Sequence, residues 1–395
     1  MTQFTVRRGT AHDLPEIKQL NLRNFGENMP GNAWKYHQQE LPGHSYYVAE
    51  DTKTGDLVGT AGFFPSNVNL GNAIVPMAAV TEITVDATHR GQGVLHEMLA
   101  ALENDDAFSA YPVVGLTASQ ATIYGRYGFG PAVYLSEYTI DTRNLAFSNL
   151  VDTANSVRFL PREKFLEVLP PLYDAYQKVT PGVVSRSMAR WKFELEWPES
   201  VDTQLELHAL VHEHGFARFH YEEQRKKLVV DEICTTTPEA YYALWQTLCG
   251  HNIQKELNYS GPTRSPLPYV FKDFRALETK SYYDFLWLRI RNVKAVLEAT
   301  ISRNTGSVIL QLKDSYGTES GVYTVHFANG TISCEKSSEE PELTMDISIL
   351  SMILLGEIAA SALYQAGRIT GSATAVELLD QALFSAKSPE AGTFF

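Results

Sequence analysis

The sequence predicts an α+β protein with mixed α/β segments and more than one domain. The chain has 395 residues, which exceeds the size at which a single hydrophobic core usually stops growing. Residues 81–102 read as a strand, a glycine turn and a helix, whereas residues 285–395 alternate short strands with apolar helical runs. A content of 44% hydrophobic and 20% charged residues is typical of a globular protein.

Net charge and the cysteine and histidine residues indicate which ligands and binding partners the protein is expected to have. A formal charge of −13 argues against nucleic acid and anionic membranes and favours a cationic small substrate. The three cysteines form no C-x-x-C pair, and the four histidines between residues 208 and 220 read as surface or packing residues, so we expect no metal. Because the first residues lack a signal-peptide core and residues 349–360 are too short to span a bilayer, we expect a cytoplasmic protein.

The N-terminal residues predict strands and a helix ahead of residues 81–102. A helix is expected over residues 14–22, with apolar residues on one face. Residues 25–34 contain two glycines and a proline and read as a loop, in which the aromatic residues Phe25 and Trp34 could line a pocket. Strands are predicted at residues 4–7, 45–50 and 57–64.

Residues 81–102 carry the most specific signal in the chain. Ile83 and Val85 alternate with polar residues, as in a half-buried strand, and an amphipathic helix begins near Val94. Between them, the run Arg90-Gly91-Gln92-Gly93 would let the backbone approach a ligand closely and aim its N–H groups at an anion. Neither the dinucleotide pattern G-x-G-x-x-G nor a P-loop is present, so the turn predicts a different phosphate ligand.

A second signal follows about 30 residues later. Residues 113–116 read as a buried strand, and residues 119–129 read as a short helix that ends at Gly125 or Gly128. A last strand is predicted at residues 132–140.

The remainder of the chain predicts two further units. Asp231-Glu232-Ile233-Cys234 followed by a helix echoes Thr81-Glu82-Ile83-Thr84 followed by the glycine turn, which suggests a duplicated fold. This copy lacks an Arg-x-x-Gly run, so we expect it not to bind the same ligand. The third unit is expected to contain strands at residues 308–313, 321–327 and 331–335, and helical runs at residues 349–355, 361–365 and 373–383.

These motifs resemble a known family. Residues 90–95 resemble the acyl-CoA signature Arg/Gln-x-x-Gly-x-Gly/Ala of the GCN5-related N-acetyltransferases, with Leu95 at a position that is usually small. The helix ending in a tyrosine, followed by Gly128-Phe129, resembles a second element of that pattern, and residues 341–368 resemble sterol-carrier domains. The order of the three units resembles the Eis (enhanced intracellular survival) acetyltransferases over essentially the whole chain.

The resemblance implies an architecture and an activity. The fold would be two tandem acetyltransferase folds, the second degenerate, followed by a sterol-carrier-protein-like domain, with boundaries at residues 1–140, 141–284 and 285–395. The protein would form a homo-oligomer, a hexamer in this family. It would be an acetyl-CoA-dependent N-acetyltransferase that acts on amines of a polycation, such as an aminoglycoside or a lysine-containing peptide.

The resemblance also implies roles for individual residues. Tyr124 falls on the family's general acid, and the terminal carboxylate, on Phe395, falls on its base. The acceptor pocket would contain Phe25, Trp34 and Glu82, although Glu82 could also be an ordinary exposed strand residue. The acetyl-CoA contacts would be Ile83, Thr84, Val85, Arg90, Gly91, Gln92, Gly93, Val94, Leu95, His96, Ser119 and Gln120.

The end of the chain supports the assignment of the base independently. A chain end is usually poorly ordered, but burial of Phe394 and Phe395 would each contribute about 1.5–3 kcal/mol. A carboxyl group between apolar rings binds a proton more readily than one in water. Glu82 is the acidic alternative, since no histidine is placed by a motif to serve as base.

Two alternatives to an acetyltransferase remain open from the sequence. One is a lipid carrier that uses the third unit, and the other is a regulatory protein that binds acyl-CoA without turnover. The sterol-carrier likeness concerns the fold alone. The run at residues 90–93 together with Tyr124 favours the enzyme over the regulatory protein.

Overall fold

The computed structural model describes residues 3–26, 28–143, 145–151, 153–202, 205–222, 227–250, 255–328, 330–385 and 387–395. None of the helices within these ranges is long and apolar enough to cross a membrane. Within the same ranges, no group of three or more His, Cys, Asp or Glu side chains is placed to hold a metal ion.

One twelve-stranded sheet runs through the first two units. Its strand order is β1-β2-β3-β4-β5-β12-β6-β11-β10-β9-β8-β7, and the pairs β4–β5 and β10–β11 are parallel whereas the others are antiparallel. The strands are β1 Phe4–Arg8, β2 Tyr46–Asp51, β3 Leu57–Asn69, β4 Ile74–Val85, β5 Val113–Thr117, β6 Gly130–Asp141, β7 Arg158–Leu160, β8 His208–His212, β9 Gly215–Glu222, β10 Lys227–Thr235, β11 Glu256–Pro262 and β12 Leu277–Ile290.

Helices cover the faces of this sheet. Several begin where a polar side chain caps the first turn; Ser187 accepts from the N–H of Arg190, and Thr237 accepts from the N–H of Ala240. The helices are α1 Leu14–Phe25, α2 Gly31–Glu40, α3 Val94–Glu103, α4 Asp106–Ser109, α5 Ala121–Tyr124, α6 Thr153–Ser156, α7 Phe165–Val179, α8 Met188–Val201 and α9 Pro238–Cys249.

Strand β12 joins the first two units. It inserts between β5 and β6, pairing with β5 at residues 286–290 and with β6 at residues 277–288. The sequence predicts no strand here, and β12 spans the predicted domain boundary between residues 284 and 285. A single sheet therefore carries both halves, which fixes the second unit relative to the first.

The segment at residues 25–34 contains the end of one helix and the start of another, so the prediction of a loop over the whole segment is wrong. Helix α1 continues to Phe25 and ends at Gly26, whose φ of +73° allows its N–H to bond to the carbonyl of Leu22. Pro30 then precedes α2, which begins at Gly31. Glu27 lies outside the described residues. The glycines and the proline mark the ends of two helices here and not a long loop.

The third unit is a five-stranded sheet with its own helices. Its helix α11, Ile347–Ile353, packs closely on Gly130 of β6, since a Cβ atom built on Gly130 would lie 2.0 Å from the carbonyl oxygen of Ser348. The strand order is β15-β14-β13-β16-β17, with β13 and β16 parallel. The elements are α10 Val293–Glu298, β13 Gly306–Lys313, β14 Gly321–Ala328, β15 Thr331–Lys336, β16 Leu343–Asp346, α11 Ile347–Ile353, α12 Ala360–Gln365, β17 Ile369–Gly371 and α13 Ala373–Leu383.

Candidate active site

Strands β4 and β5 separate at their C-terminal ends. They pair only where residues 77–79 lie beside residues 113–115, although β4 continues to Val85 and β5 to Thr117. On its other side β4 bulges, since Glu82 and Ile83 lie opposite the single residue Ala61 of β3. Glu82 has a φ of +51°, and Thr60 Oγ1 donates to its carbonyl oxygen at 2.7 Å. The bulge and the divergence together open a space beside the backbone of β4.

One side of this space is a groove of about 620 Å³, which we call the turn groove. Gly91 and Gly93 adopt φ values of +77° and +88°, which side chains rarely tolerate, and no atom lies within 4 Å of a Cβ built on either. Helix α3 begins directly after Gly93 with no side-chain cap, so its first N–H groups are free to bind an anion. The predicted residues that line it are Ile83, Thr84, Val85, Arg90, Gly91, Gly93, Val94, Leu95, His96, Ser119 and Gln120.

Gln92 does not line the turn groove. Its Nε2 donates to the carbonyl oxygen of Thr88 at 3.2 Å. The Gln92 side chain is therefore not placed to contact a ligand in this groove, and its hydrogen bond to Thr88 stabilises the turn instead. Arg90 is exposed at the rim, where its guanidinium donates to the carbonyl oxygen of Val85 and to Asn24 Oδ1.

The other side is a cavity of about 200 Å³, which we call the tail cavity because the end of the chain lines it. Of the residues expected in the acceptor pocket, Phe25 and Glu82 line this cavity and Trp34 does not. Trp34 stacks on His37 with the ring centroids 5.4 Å apart, and the Nζ of Lys18 lies 5.1 Å from its ring. The Trp34 side chain therefore lies behind the wall, because His37 occupies the position that faces the cavity.

Helix α8 of the second unit contributes three residues to the tail cavity that the sequence analysis does not identify. Arg190, Phe193 and Trp197 are spaced three and four residues apart, so they lie on one face of the helix. Arg190 Nε lies 2.7 Å from Glu40 Oε2 of α2, and this ion pair joins the two helices. An arginine followed by two aromatic residues on one helix face is the sequence pattern that could have predicted this part of the cavity wall. Met29, His37 and Thr117 are further lining residues that were not predicted.

Tyr124 lies where the two spaces meet. Phe25, Ile83, Ser119 and Tyr124 line both the turn groove and the tail cavity. The ring of Tyr124 packs against Phe129 with the centroids 6.1 Å apart, and the side chain is 4% exposed. Burial raises the pKa of Tyr124, while a hydrogen bond with Ser119 opposes that rise. The hydroxyl therefore carries its proton at neutral pH and can donate it.

Glu82 is buried at the floor of the tail cavity and already has three polar neighbours. Tyr46 Oη and Asn21 Nδ2 each donate to Glu82 Oε2 at 2.6 Å, and His37 Nε2 lies 2.7 Å from Oε1. Burial opposes ionisation, but the charge and hydrogen bonds of these neighbours outweigh it and lower the pKa of Glu82. Glu82 is therefore an ionised carboxylate held in place and not an ordinary exposed strand residue.

The last residues of the chain are held by backbone hydrogen bonds, and Ala391, Thr393 and Phe395 are buried. The N–H of Glu390 donates to Pro181 O at 3.0 Å, and the N–H of Val184 donates to Ala391 O at 2.9 Å. Phe395 is 6% exposed, and its ring meets the edge of Phe64 with the centroids 5.8 Å apart. Thr117 Oγ1, at the end of β5, donates to a terminal carboxylate oxygen of Phe395 at 2.5 Å. The terminal carboxylate thus lies in the wall of the tail cavity.

An ionic cluster in the second unit holds this tail. Arg186 donates to both oxygens of Glu232, at 3.1 and 2.8 Å, and lies 3.3 Å from Glu194. Its Nε donates to Thr393 Oγ1 at 2.9 Å, and its Nη2, which also donates to Glu232, donates to the carbonyl oxygen of Gly392. The ring of Tyr173 lies 4.1 Å from the guanidinium. Arg186 therefore connects the core of the second unit to the residues that precede Phe395.

A parallel strand pair that separates beyond a bulge, followed by a glycine turn at a helix start, defines the fold of a GCN5-related N-acetyltransferase. The family model described as "Acetyltransferase (GNAT) domain" matches residues 5–132, and a second model with that description matches residues 182–290. The model described as "Sterol carrier protein domain" matches residues 293–391. The predicted fold class, with two acetyltransferase folds and a sterol-carrier-like domain, is confirmed.

Known relatives identify the family more closely. N-acetyltransferase Eis of Mycobacterium tuberculosis (strain ATCC 25177 / H37Ra) is 31% identical over 341 residues, which cover 84% of this chain and 84% of that protein. An uncharacterized N-acetyltransferase of Streptomyces avermitilis is 29% identical over 341 residues, covering 80% of each. The chain belongs to the Eis family of N-acetyltransferases. It is thus an acetyltransferase, and enzymes of this class use acetyl-CoA.

Solved structures share this fold. Eis1 from Mycobacterium abscessus superposes with a TM-score of 0.88 at 24% identity, covering 99% of this chain and 100% of that one. A GCN5-related N-acetyltransferase from Anabaena variabilis ATCC 29413 gives a TM-score of 0.84 at 20% identity, with the same coverage.

Proposed function

We propose that the protein transfers the acetyl group of acetyl-CoA to an amine by direct attack of the amine on the thioester. The observation that carries this proposal is the position of Tyr124, which lines both the turn groove and the tail cavity. A donor bound in the groove and an acceptor bound in the cavity would meet at this residue. Phe395 also lines this cavity, so its carboxylate would lie on the acceptor side.

The turn groove would hold the donor. The free N–H groups at the start of α3 and the positive-φ glycines Gly91 and Gly93 suit a pyrophosphate, and the space above both glycines leaves room for it. The guanidinium of Arg90, exposed at the rim, would add a positive charge. Beyond the point where β4 and β5 separate, a free backbone N–H of residues 83–85 would polarise the thioester carbonyl.

The proton transfers follow from the chemistry of amines. An amine with a pKa near ~10 is protonated at neutral pH and must lose a proton before it can attack. The carboxylate of Phe395 would take that proton, the amine nitrogen would bond to the acetyl carbon, and the carbon–sulfur bond would break as the nitrogen loses a second proton to solvent. Tyr124 would give its proton to the departing thiolate and recover one from solvent. The balance is one acetylated amine, one free thiol and one released proton.

The acceptor is proposed to be a cationic amine. A polycation, either an aminoglycoside-like molecule or a lysine-containing peptide, is the class that the net charge of −13 and the family favour. The two carboxylates in the wall of the tail cavity, those of Glu82 and Phe395, support a positively charged acceptor. A homo-oligomer, a hexamer in this family, remains a prediction of the resemblance, and a cytoplasmic location remains a prediction from the sequence.

The interior of the third unit gives no support to the lipid-carrier alternative. The inward-facing residues of β13 and β14 are at most 1% exposed and pack against the helices of that unit; they are Val308, Leu310, Leu312, Tyr323, Val325 and Phe327. We therefore propose turnover at the first unit as the function.

The test is a thiol-release assay with acetyl-CoA and a panel of amines, with mass spectrometry of the product. We expect one new acetyl group per thiol released, attached to nitrogen. Release of thiol without an acetylated amine would indicate hydrolysis and would contradict the proposal. Tight binding of acetyl-CoA with no turnover on any amine would instead favour the regulatory acyl-CoA-binding protein.

A further inference from the structure

The proposed transfer removes two protons from the amine nitrogen, and the groups described so far account for one of them. A protonated amine that becomes an amide loses one proton before it attacks and a second proton after the carbon–nitrogen bond has formed. The carboxylate of Phe395 is neutral once it has taken the first proton, so it cannot take the second. Tyr124 gives up a proton at this stage and does not accept one. The second proton therefore needs another route out of the tail cavity.

One other group in the wall of the tail cavity can accept a proton. The described residues that line this cavity and can ionise are His37, Glu82, Tyr124, Arg190 and Phe395, the last through its carboxylate. Arg190 stays protonated at every relevant pH. Glu82 has polar neighbours at 2.6 to 2.7 Å on both oxygens and a lowered pKa, so it is a poor proton acceptor. His37 is the group that remains.

The imidazole ring of His37 is held in one orientation. Its Nε2 lies 2.7 Å from Glu82 Oε1, so Nε2 must carry a proton, because the carboxylate would repel a bare lone pair at this distance. The ring stacks on Trp34 with the centroids 5.4 Å apart, and the ring centroid of Phe193 lies 5.6 Å away. A histidine that a buried carboxylate orients in this way is the arrangement of an acid–base dyad.

The other ring nitrogen of His37, Nδ1, is available to a molecule in the tail cavity. The contacts that His37 makes with Glu82 and with the hydroxyl of Tyr46 both use Nε2, and Nδ1 has no hydrogen-bond partner among the described residues. With its proton on Nε2, a neutral imidazole keeps a lone pair on Nδ1 that can take a proton at neutral pH. The charge of Glu82 would then stabilise the imidazolium that forms.

We infer that His37 is a catalytic residue that accepts the second proton of the amine nitrogen on Nδ1 and passes it to solvent, with Glu82 as its positioning residue. This inference rests on the proposed acetyl transfer. After the nitrogen has bonded to the acetyl carbon, its bond to hydrogen breaks and the electron pair stays on nitrogen. The carbonyl re-forms, the carbon–sulfur bond breaks with its pair on sulfur, and the sulfur takes the proton of Tyr124. His37 becomes neutral again when it gives its proton to water.

Chemical rescue tests this role on the full-length protein. His37→Ala leaves a space of the shape of free imidazole, and thiol release is measured with acetyl-CoA and either kanamycin or a lysine-containing peptide as acceptor. We expect kcat to fall by roughly 10²-fold with the Kd for acetyl-CoA unchanged, and added imidazole to raise kcat of the variant about tenfold without affecting the wild type. His44→Ala, at an exposed histidine, is the matched control and should keep the wild-type kcat.

A second variant separates proton transfer from packing. His37→Gln keeps a polar side chain that can donate to Glu82 but cannot carry a proton, so we expect it to be about as slow as His37→Ala. It also decides the question alone if His37→Ala does not fold. A kcat within about threefold of the wild type in either folded variant would overturn the inference, and so would a loss in His37→Ala that imidazole does not relieve. No turnover of either acceptor by the wild type would instead contradict the proposed function itself.

Discussion

Replacement of the terminal carboxylate by an amide tests the proposed base most directly. The carboxylate accepts from Thr117 at 2.5 Å, and the ring of Phe395 packs against Phe64. A terminal carboxamide keeps the ring and still accepts a hydrogen bond from Thr117, but it has no charge and cannot take a proton. Deletion of Phe395 would be less clean, because it would also remove a buried ring worth about 1.5–3 kcal/mol.

The expected magnitude follows from the role of a base. General base catalysis contributes about 10²–10⁴ in rate, which corresponds to roughly 2.7–5.4 kcal/mol of transition-state stabilisation. Without the base, the reaction would depend on amine that is already neutral. At pH 7.5 this is about 0.3% of an amine with a pKa near 10. The rate of the amide would therefore rise about tenfold per pH unit until the pH approaches that pKa.

The assay is thiol release between pH 6.5 and 9.5 on protein prepared as a C-terminal intein thioester. Ammonia converts the thioester to the amide, and hydrolysis of the same preparation yields the native acid as control. We expect kcat of the amide to fall by about 10²–10⁴, with the acetyl-CoA Kd and the Tm close to those of the acid. If kcat of the amide stays within about threefold of the acid, the carboxylate of Phe395 is not the base, and Glu82 becomes the leading candidate.

Three further predictions concern the donor side and the floor of the site. Tyr124→Phe keeps the buried ring but removes the hydroxyl, so it should lower kcat by about 10²–10⁴ with the KM for acetyl-CoA little changed. Tyr282→Phe, at an exposed tyrosine of β12, is the control and should have no effect. A near-wild-type kcat for Tyr124→Phe would mean that Tyr124 is a packing residue. Gly93→Asp adds strain at a positive φ and places a negative charge beside the pyrophosphate, so calorimetry should show the affinity for acetyl-CoA reduced at least about 100-fold. Gly55→Asp, at a φ of +79° in the β2–β3 turn, is the control and should leave this affinity unchanged. Because the pKa of Glu82 is lowered on folding, its charge stabilises the fold above its ordinary value of 4.5 and this contribution is lost as the pH falls through the lowered pKa. Glu82→Gln should therefore destabilise the protein by about 1.5–3 kcal/mol at pH 7 and by less as the pH falls through the lowered pKa, and a pH-independent loss in thermal or urea unfolding would contradict this assignment.

The features that could be predicted from sequence are those that neighbouring residues encode. The glycine turn at residues 90–93 and the segment that ends at Tyr124 each combine a local conformation with a chemical requirement, so their spacing is visible in one stretch of chain. The burial of Phe395 follows from an apolar chain end that gains nothing in water, but Phe394 is 55% exposed, so the expectation that both rings are buried is wrong for Phe394. These local signals locate both sides of the proposed reaction.

The features that were not predicted depend on partners that are distant in sequence. Strand β12 finds its neighbours at residues 113–117 and 130–141, and no local pattern indicates that it inserts between strands of the first unit. The wall that α8 contributes requires α8 to pack on α2, which the ion pair of Arg190 and Glu40 helps to fix. Trp34 was misplaced because an aromatic residue near a pocket can face the pocket or pack behind it, and composition does not distinguish the two.

Glu232 of the second unit helps to hold the end of the chain that the proposed reaction uses. Glu82 lies at the bulge of β4, and Glu232 directly follows the bulge of β10, so the two carboxylates occupy corresponding places in the duplicated fold. Glu232 binds Arg186, and Arg186 donates to Thr393 and Gly392 of the tail. A buried ion pair is weak evidence for stability, because the loss of water offsets the attraction between the charges.

The ion pair does fix geometry, however, and a proton-transferring group must be held within about 0.5 Å of its productive position. The Arg186 cluster holds the chain two residues before the terminal carboxylate, and Thr117 of the first unit holds the carboxylate itself. The terminal carboxylate is thus fixed from both units. The second unit, which lacks the glycine turn, therefore helps to position the terminal carboxylate that the first unit needs for the proposed acetyl transfer.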